Sequence, residues 1–200
     1  MKKSVLMLIV SGLFLTHLSA NAQDEVATDS KWMARVRALY IDPANHSSPV
    51  SGVEAGEVAI PELDFSYFIT PNWSLELILG TSKHDVMLNS AGLGTVSLLP
   101  PTLTAQYHFT DLQGWKPYVG VGVNYTIFYD KSLSSGLDVS DSSTGLALQA
   151  GFDVKIADNL YVNVDVKKVY IKTDVSSNGS YLTTFDIDPI LLGFGLGMRF

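Results

Sequence analysis

The sequence predicts an all-β protein, an eight-stranded antiparallel transmembrane β-barrel with short periplasmic turns and long extracellular loops. About eight segments alternate apolar and polar residues with a period of two, which is the repeat of a strand and not of a helix. After the first residues, no window approaches the roughly 18 unbroken apolar residues that a spanning helix needs. Yet 46% of the sequence is hydrophobic. A membrane protein of this kind has to be a closed barrel, since only helices and barrels satisfy every backbone polar group in lipid.

The chain begins with the features of a secretory signal peptide. Lys2 and Lys3 precede an apolar run over residues 5–18, and Ala20-Asn21-Ala22 forms a small-x-small cleavage site. The apolar run is too short to span a membrane. We therefore predict a signal peptide over residues 1–22 and one barrel domain over residues 23–200.

Charge and cysteine content exclude several classes of function. The formal net charge is −7, and loss of the two signal-peptide lysines makes the mature chain more acidic still. This acidity argues against nucleic acid as a partner. The sequence has no cysteine, which excludes thiolate metal sites and cysteine nucleophiles. A secreted chain without disulfides has to be stabilised by a core or by a closed hydrogen-bonded structure.

The alternating segments predict the strands in order. In the first segment, for example, Val36 lies on the apolar face, and Arg35 and Arg37 lie on the opposite one. Aromatic residues close the apolar faces near their ends, where the two interfacial girdles of a barrel would lie: Trp32, Tyr40, Tyr67, Trp73, Tyr107, Phe109, Tyr125 and Tyr129. The eight segments are residues 32–41, 60–70, 73–79, 101–109, 118–129, 145–154, 160–167 and 193–200.

The connections between these segments alternate in length. Short turns are predicted at residues 71–72, 111–116 and 157–159, where Pro, Asn, Asp and Gly favour tight turns. The other connections are rich in Gly, Ser and Asp and cover roughly residues 42–59, 84–97, 130–144 and 174–181. Short turns on one side and long loops on the other are typical of bacterial outer-membrane barrels.

A soluble eight-stranded barrel of lipocalin type is the alternative architecture. It would turn the charged face to solvent and place all the apolar faces in one interior. Eight strands enclose too little space for so many large residues. The membrane barrel is therefore the favoured prediction.

Four stretches of the sequence are specific enough to be compared with known families: LPPTLTAQYHF at residues 99–109, KPYVGVGVNYTIFYD at 116–130, IDPILLGFGLGMRF at 187–200 and ITPNWSLELILGTSKH at 69–84. Together they resemble the outer-membrane protein W (OmpW) family. The resemblance covers nearly the whole mature chain. It implies an eight-stranded barrel in the outer membrane of a Gram-negative-type cell, with a hydrophobic channel linked to uptake of small apolar molecules, and no catalysis.

The last strand also resembles the terminal assembly signal of outer-membrane barrels. Phe194, Leu196, Met198 and Phe200 alternate on one face and end on an aromatic residue. The resemblance implies recognition by the barrel assembly machinery.

Inward-facing positions predict a charged plug in the lower half of the barrel. Arginines on the first segment share the inward parity with carboxylates on neighbouring segments. Such a network is tolerated in a barrel interior only if its members satisfy one another. The plug residues are Arg35, Arg37, Asp64, Glu76 and Asp165.

Towards the outside, the inward positions become apolar. An apolar mouth above a polar plug predicts a pocket for an apolar guest, which gains roughly 25 cal/mol per Å² of buried apolar surface. The alternative is that these side chains only pack on one another in a structural or surface-interaction barrel without cargo. The predicted mouth residues are Leu39, Ile41, Ile78, Leu98, Phe128, Val169, Ile171 and Leu191.

Pro100 and Pro101 stand where the fourth segment begins. Two consecutive prolines donate no ladder hydrogen bonds, so strand pairing should weaken there. A weak position in a barrel wall is a candidate for lateral opening into lipid. The alternative is a simple junction between loop and strand.

An enzymatic function has little support in the sequence. His84 and Asp85 lie near Ser82 and Ser90, which suggests a hydrolase-like set, but no nucleophile motif surrounds them. We expect no catalysis, no cofactor and no metal. The expected partners are outer-membrane lipid and lipopolysaccharide, small hydrophobic molecules and the barrel assembly machinery.

Overall fold

A computed structural model describes residues 30–109, 112, 114–134 and 136–200. The signal peptide predicted over residues 1–22 lies outside these residues. Within them, no helix is long and apolar enough to cross a membrane. The strands of the described residues are β1 (Trp32–Asp42), β2 (His46–Ser48), β3 (Val53–Ala55), β4 (Val58–Phe68), β5 (Trp73–Gly80), β6 (Ser82–Leu88), β7 (Ala91–Leu99), β8 (Thr102–His108), β9 (Trp115–Leu133), β10 (Leu137–Val139), β11 (Ser142–Lys155), β12 (Leu160–Val169), β13 (Lys172–Ser177), β14 (Ser180–Asp186) and β15 (Ile190–Arg199).

Eight of these strands close into a barrel, which confirms the predicted fold class. The order around the wall is β1, β4, β5, β8, β9, β11, β12 and β15, and every neighbouring pair is antiparallel. β15 pairs back onto β1, from Met33↔Arg199 to Asp42↔Ile190. Because the last wall strand pairs with the first, none of the eight described wall strands is a free edge strand.

The outer surface of the barrel is apolar. Val36, Leu77, Val121 and Phe194 point outward with 41–61% of their surface exposed. Aromatic pairs form at the periplasmic end, including Trp32 with Tyr67 and Trp73 with Tyr107, whose ring centroids lie 4.9 and 5.1 Å apart. An apolar band edged by aromatic rings is the surface that a barrel presents to lipid.

Glycines on the inward face of β15 make room for the arginines of β1. A Cβ on Gly195 would lie 2.9 Å from Cγ of Arg37, and one on Gly197 would lie 3.0 Å from Cγ of Arg35. The outward positions of the same strand keep the alternating apolar residues, with Phe194 61% exposed. The alternation of the last strand therefore combines a lipid face with space for two large charged side chains.

The long extracellular connections contain further β-structure. β10, β13, β14 and β2 form a separate four-stranded sheet, while β3, β6 and β7 extend the main sheet along β9. Alternate side chains of these strands turn inward and are buried, including Val96, Val139, Val175 and Phe185. They join the apolar mouth residues in one hydrophobic cluster. The barrel wall therefore continues outward as an extracellular extension made of β2, β3, β6, β7, β10, β13, β14 and the outer half of β9.

Candidate functional site: two apolar cavities above a charged plug

Arg35 lies in the lower layer of the charged plug and contacts most of the side chains there. Its Nη1 lies 3.1 Å from both Asp64 Oδ1 and Glu76 Oε1, and it donates to Ser66 Oγ at 2.8 Å. Its Nε and Nη2 donate to the two carboxylate oxygens of Asp153, at 3.2 and 2.9 Å. The side chain is completely buried, so its charge is balanced only by these partners.

Arg37 forms the next layer of the plug. Its Nη1 donates to Glu62 Oε1 at 2.8 Å, and its Nη2 donates to Glu76 Oε1 at 3.0 Å. Asp64 and Asp165 each place a carboxylate oxygen within 3.4 Å of the same guanidinium. The five predicted plug residues thus meet in one continuous network.

Several members of the plug were missing from the predicted set. Lys167 Nζ lies 2.5 Å from Glu62 Oε1 and forms the top of the plug. The Tyr118 hydroxyl accepts a hydrogen bond from Asn163 Nδ2 at 3.1 Å, and the ring lies 5.7 Å from the Arg35 guanidinium. Glu62 and Lys167 have the same inward parity as the predicted residues, so the alternation already contained the signal for them.

The plug fills the lower half of the barrel. The residues of the network are at most 4% exposed, and Gln106 and Gln149 fill space beside Glu76, which accepts from Gln106 Nε2 at 2.7 Å. Gln106 Nε2 also donates to Gln149 Oε1 at 3.0 Å. The lower half of the barrel interior is thus filled by side chains that are hydrogen-bonded to one another, and among the described residues no open channel runs through it.

Two apolar cavities lie in series above this plug. The inner cavity has a volume of about 50 Å³ and rests on Glu62 and Lys167. The outer cavity, also of about 50 Å³, lies within the extracellular extension. Side chains lining the outer cavity include Val86, Val96, Leu98, Phe128, Val175 and Phe185.

All eight predicted mouth residues line these cavities and are at most 8% exposed. Phe128 lines the outer cavity, and Leu98 lines both. The remaining six line the inner cavity: Leu39, Ile41, Ile78, Val169, Ile171 and Leu191. Most of them also pack on one another in the hydrophobic cluster, but the packing leaves the two cavities between them.

The strand ladder is interrupted beside Pro100 and Pro101. β5 and β8 are paired up to Ile78↔Thr102, and β6 and β7 are paired from Ser82↔Leu98 onward. Three residues on each side of this break, 79–81 and 99–101, have no register partner across it. Pro100 and Gly80 line the inner cavity at the same place, so the break in the wall adjoins the cavity.

Side chains bridge the ladder break. The Thr81 hydroxyl donates to the Leu98 carbonyl at 3.2 Å and lies 2.5 Å from the Tyr129 hydroxyl. On the other flank, the Tyr125 amide donates to the Pro101 carbonyl at 3.0 Å, and Asn124 Nδ2 donates to the Pro100 carbonyl at 3.1 Å. The proline pair is therefore hydrogen-bonded to β9. The missing backbone pairing lies on its other side, towards β5 and β6.

His84 separates the two cavities. Leu98, Ile187 and His84 line both of them, and His84 is the polar member of the three. Burial lowers its pKa below the ordinary 6.5, although its hydrogen bond to the Gly56 carbonyl and the charge of Asp85 oppose this. The ring is therefore neutral at pH 7. Among the described residues, no group of three or more His, Asp or Glu side chains is arranged to hold a metal ion.

The architecture agrees with the comparison against protein-family models. The model described as "OmpW family" matches residues 26–200. The chain belongs to the OmpW family. This OmpW-family barrel is 42% identical over 186 residues to the "Uncharacterized outer-membrane protein y4mB" of Sinorhizobium fredii, covering 86% of this chain and 80% of that protein.

Two further proteins are similar to this OmpW-family chain, one in sequence and one in structure. The chain is 28% identical over 165 residues to the "Dibenzothiophene metabolism operon protein PahQ" of Pseudomonas aeruginosa, covering 76% of each. The crystal structure of the outer membrane protein OprG from Pseudomonas aeruginosa superposes with a TM-score of 0.73 at 28% identity, covering 86% of this chain and 96% of that one. This protein is thus an outer-membrane β-barrel.

Proposed function

We propose that this barrel takes up small apolar molecules across the outer membrane. The observation that supports the proposal is the pair of apolar cavities, one above the other, with Glu62 and Lys167 at the bottom of the inner one. An apolar guest gains contact with the cavity walls at roughly 25 cal/mol per Å² of apolar surface buried. The name of the PahQ relative, which refers to dibenzothiophene metabolism, agrees with a guest of this class.

The guest leaves the barrel sideways in this proposal. The plug blocks the straight path, because passage would separate Arg35 and Arg37 from their carboxylates in a low-dielectric interior. Breaking a buried pair of this kind costs about 3–5 kcal/mol. The ladder break at Pro100 and Pro101 adjoins the inner cavity and needs fewer bonds to be broken.

The second candidate is a structural or surface-interaction barrel without cargo. The tight packing of most mouth residues on one another supports it. The two candidates differ in one respect, which is whether an apolar compound occupies and crosses the cavities.

The test is a charge introduced into the cavity wall. Phe128→Lys and Leu191→Lys should strongly reduce entry of a small apolar compound into cells that lack other routes, because the guest must pass a group that is costly to desolvate. The wall should still form, since both side chains face the interior and not the lipid, and uptake is compared only for variants whose heat-modifiable mobility shows a folded barrel. Normal uptake by folded Phe128→Lys and Leu191→Lys variants would favour the structural barrel.

The matched control is Leu77→Lys on the lipid face, where Leu77 is 41% exposed. A lysine there should impair insertion by about 2–4 kcal/mol if it lies at mid-membrane. A lower folded fraction for this variant, with normal folding of the cavity variants, separates damage to the pathway from damage to the barrel.

A further inference from the structure

A chain of two hydrogen bonds crosses the boundary between the cavities. Ser82 Oγ lies 3.0 Å from His84 Nε2, and His84 Nδ1 lies 2.8 Å from the Gly56 carbonyl oxygen. Ser82 and His84 are both at most 6% exposed. Ser82 lines the inner cavity and His84 lines both, so this chain borders the path of any guest.

The direction of these hydrogen bonds follows from the chemistry of the partners. A backbone carbonyl can only accept, so Nδ1 of His84 carries the hydrogen. In the neutral ring, Nε2 must then accept, and the Ser82 hydroxyl is its donor. The single hydrogen of that hydroxyl is thereby used, and Ser82 Oγ offers only lone pairs to the cavity.

The other polar groups at the wall of the inner cavity have partners within the protein. The Thr102 hydroxyl donates to the Pro100 carbonyl at 3.0 Å and accepts from Asn124 at 2.8 Å. Lys167 and Glu62 are paired with each other at the floor. Ser82 and its partner His84 therefore form the polar part of this wall that lies next to the passage between the cavities.

We propose that Ser82 is a hydrogen-bond acceptor for the guest, so that the barrel prefers small apolar molecules carrying one hydroxyl or similar donor over analogues whose polar atom can only accept. This specificity rests on the proposed uptake function and refines its substrate class. A guest hydroxyl replaces its lost bond to water with one to Ser82 Oγ. An ether oxygen of the same size meets lone pairs and stays unsatisfied, which is costly away from water.

The pair of guests that tests the proposal is 2-naphthol and 2-methoxynaphthalene. Each is titrated into the isotope-labelled barrel in lipid nanodiscs at pH 7.5, and amide shifts in β6 and β7 report occupancy. Ser82→Ala should weaken binding of 2-naphthol about two- to tenfold, the range expected of one net hydrogen bond, and should leave 2-methoxynaphthalene unchanged. Ser82→Thr, which keeps a hydroxyl, should restore the preference.

The pH dependence of guest binding provides a second test of the role of Ser82. When His84 is protonated, Nε2 must donate to Ser82 Oγ, and the serine hydrogen turns to the cavity as a donor. Asp85 beside His84 and the Glu62 and Lys167 pair at the floor are the charged groups nearby. Well below pH 6.5, 2-methoxynaphthalene should therefore bind more tightly relative to 2-naphthol, which a purely structural Ser82 would not produce.

The outcomes separate this inference from the proposed function. If neither guest shifts the cavity amides of the parent barrel, uptake through the cavities fails as a whole. If both guests bind the parent but Ser82→Ala weakens them equally or not at all, the acceptor role of Ser82 is overturned and uptake stands.

Discussion

Arg35 and Asp153 are joined by two parallel hydrogen bonds inside the barrel, although 118 positions separate them in the sequence. Arg35 lies on β1 and Asp153 on β11, so the pair links strands that are not neighbours in the wall. The plug therefore crosslinks the barrel through its interior.

Removing one partner of this pair should destabilise the barrel. Asp153→Ala leaves part of the Arg35 charge uncompensated in a buried site, and we expect a loss of about 3–5 kcal/mol in the free energy of unfolding. The measurement is the urea midpoint of the refolded barrel, followed by its heat-modifiable mobility on gels. As a control, Lys83→Ala removes an exposed pair with Asp130, at 3.1 Å, and should cost less than about 1 kcal/mol. Equal losses in the two variants would contradict the role of the plug.

Phe200 should be needed for efficient assembly. Its backbone exchanges two hydrogen bonds with Trp32, at 2.8 and 3.1 Å, and its ring is exposed on the lipid face. Deleting Phe200 should lower the folded fraction in outer membranes, measured as the heat-modifiable band. Phe109→Ala, at another exposed aromatic of the periplasmic end, should have a smaller effect. An unchanged folded fraction after the deletion would remove the assembly-signal interpretation.

Restoring backbone donors at the ladder break should slow uptake. Pro100→Ala with Pro101→Ala supplies two N–H groups, and one of them can point to the β5 and β6 side because successive N–H groups of a strand point in opposite directions. The wall should therefore close more firmly there. We expect slower entry of the apolar compound at equal barrel abundance. Pro71→Ala, in a periplasmic turn, is the matched control and should transport normally. Uptake at the parental rate by the double variant would exclude this exit.

The extracellular extension should become less stable in acid. The pKa of His84 is lowered by burial, so folding favours the neutral ring. This contribution is complete above pH 6.5, the value in the unfolded chain, and is lost as the pH falls towards the lower folded value. The protection factors of the β6 and β7 amides, which are corrected for the slower intrinsic exchange at lower pH, should therefore fall between pH 7.5 and pH 5. The same change of pH should have less effect in His84→Gln, and an identical fall there would exclude His84 as its cause.

The alternation of the sequence was sufficient to predict the eight wall strands and the side that each residue faces. It placed Leu191 in the mouth and Arg37 in the interior because a period of two leaves only those two directions. The partners of Arg37 required more, since Glu62, Glu76 and Asp165 meet it only through the register of three other strands. Parity alone cannot supply that register.

The chain of hydrogen bonds through His84 was not predictable from the sequence. Ser82 and His84 are close in the chain, but their third partner, Gly56, comes from the connection between β3 and β4. Gly56 reaches β6 because its amide also donates to the Asp85 carbonyl at 3.1 Å. A Gly-rich connection carries no pattern that shows where its backbone will bond.

β9 runs without interruption from Trp115 to Leu133 and is paired with β11 from Val154↔Trp115 to Ser142↔Ile127. On the other side of β9, the next two strand positions in the wall are divided, between β7 and β8 at the proline pair and between β5 and β6 at Thr81. We therefore expect the wall to be stiffer along β9 and β11 than along β5 to β8. A force applied to the extracellular extension should deform the wall at the proline pair before it deforms β9.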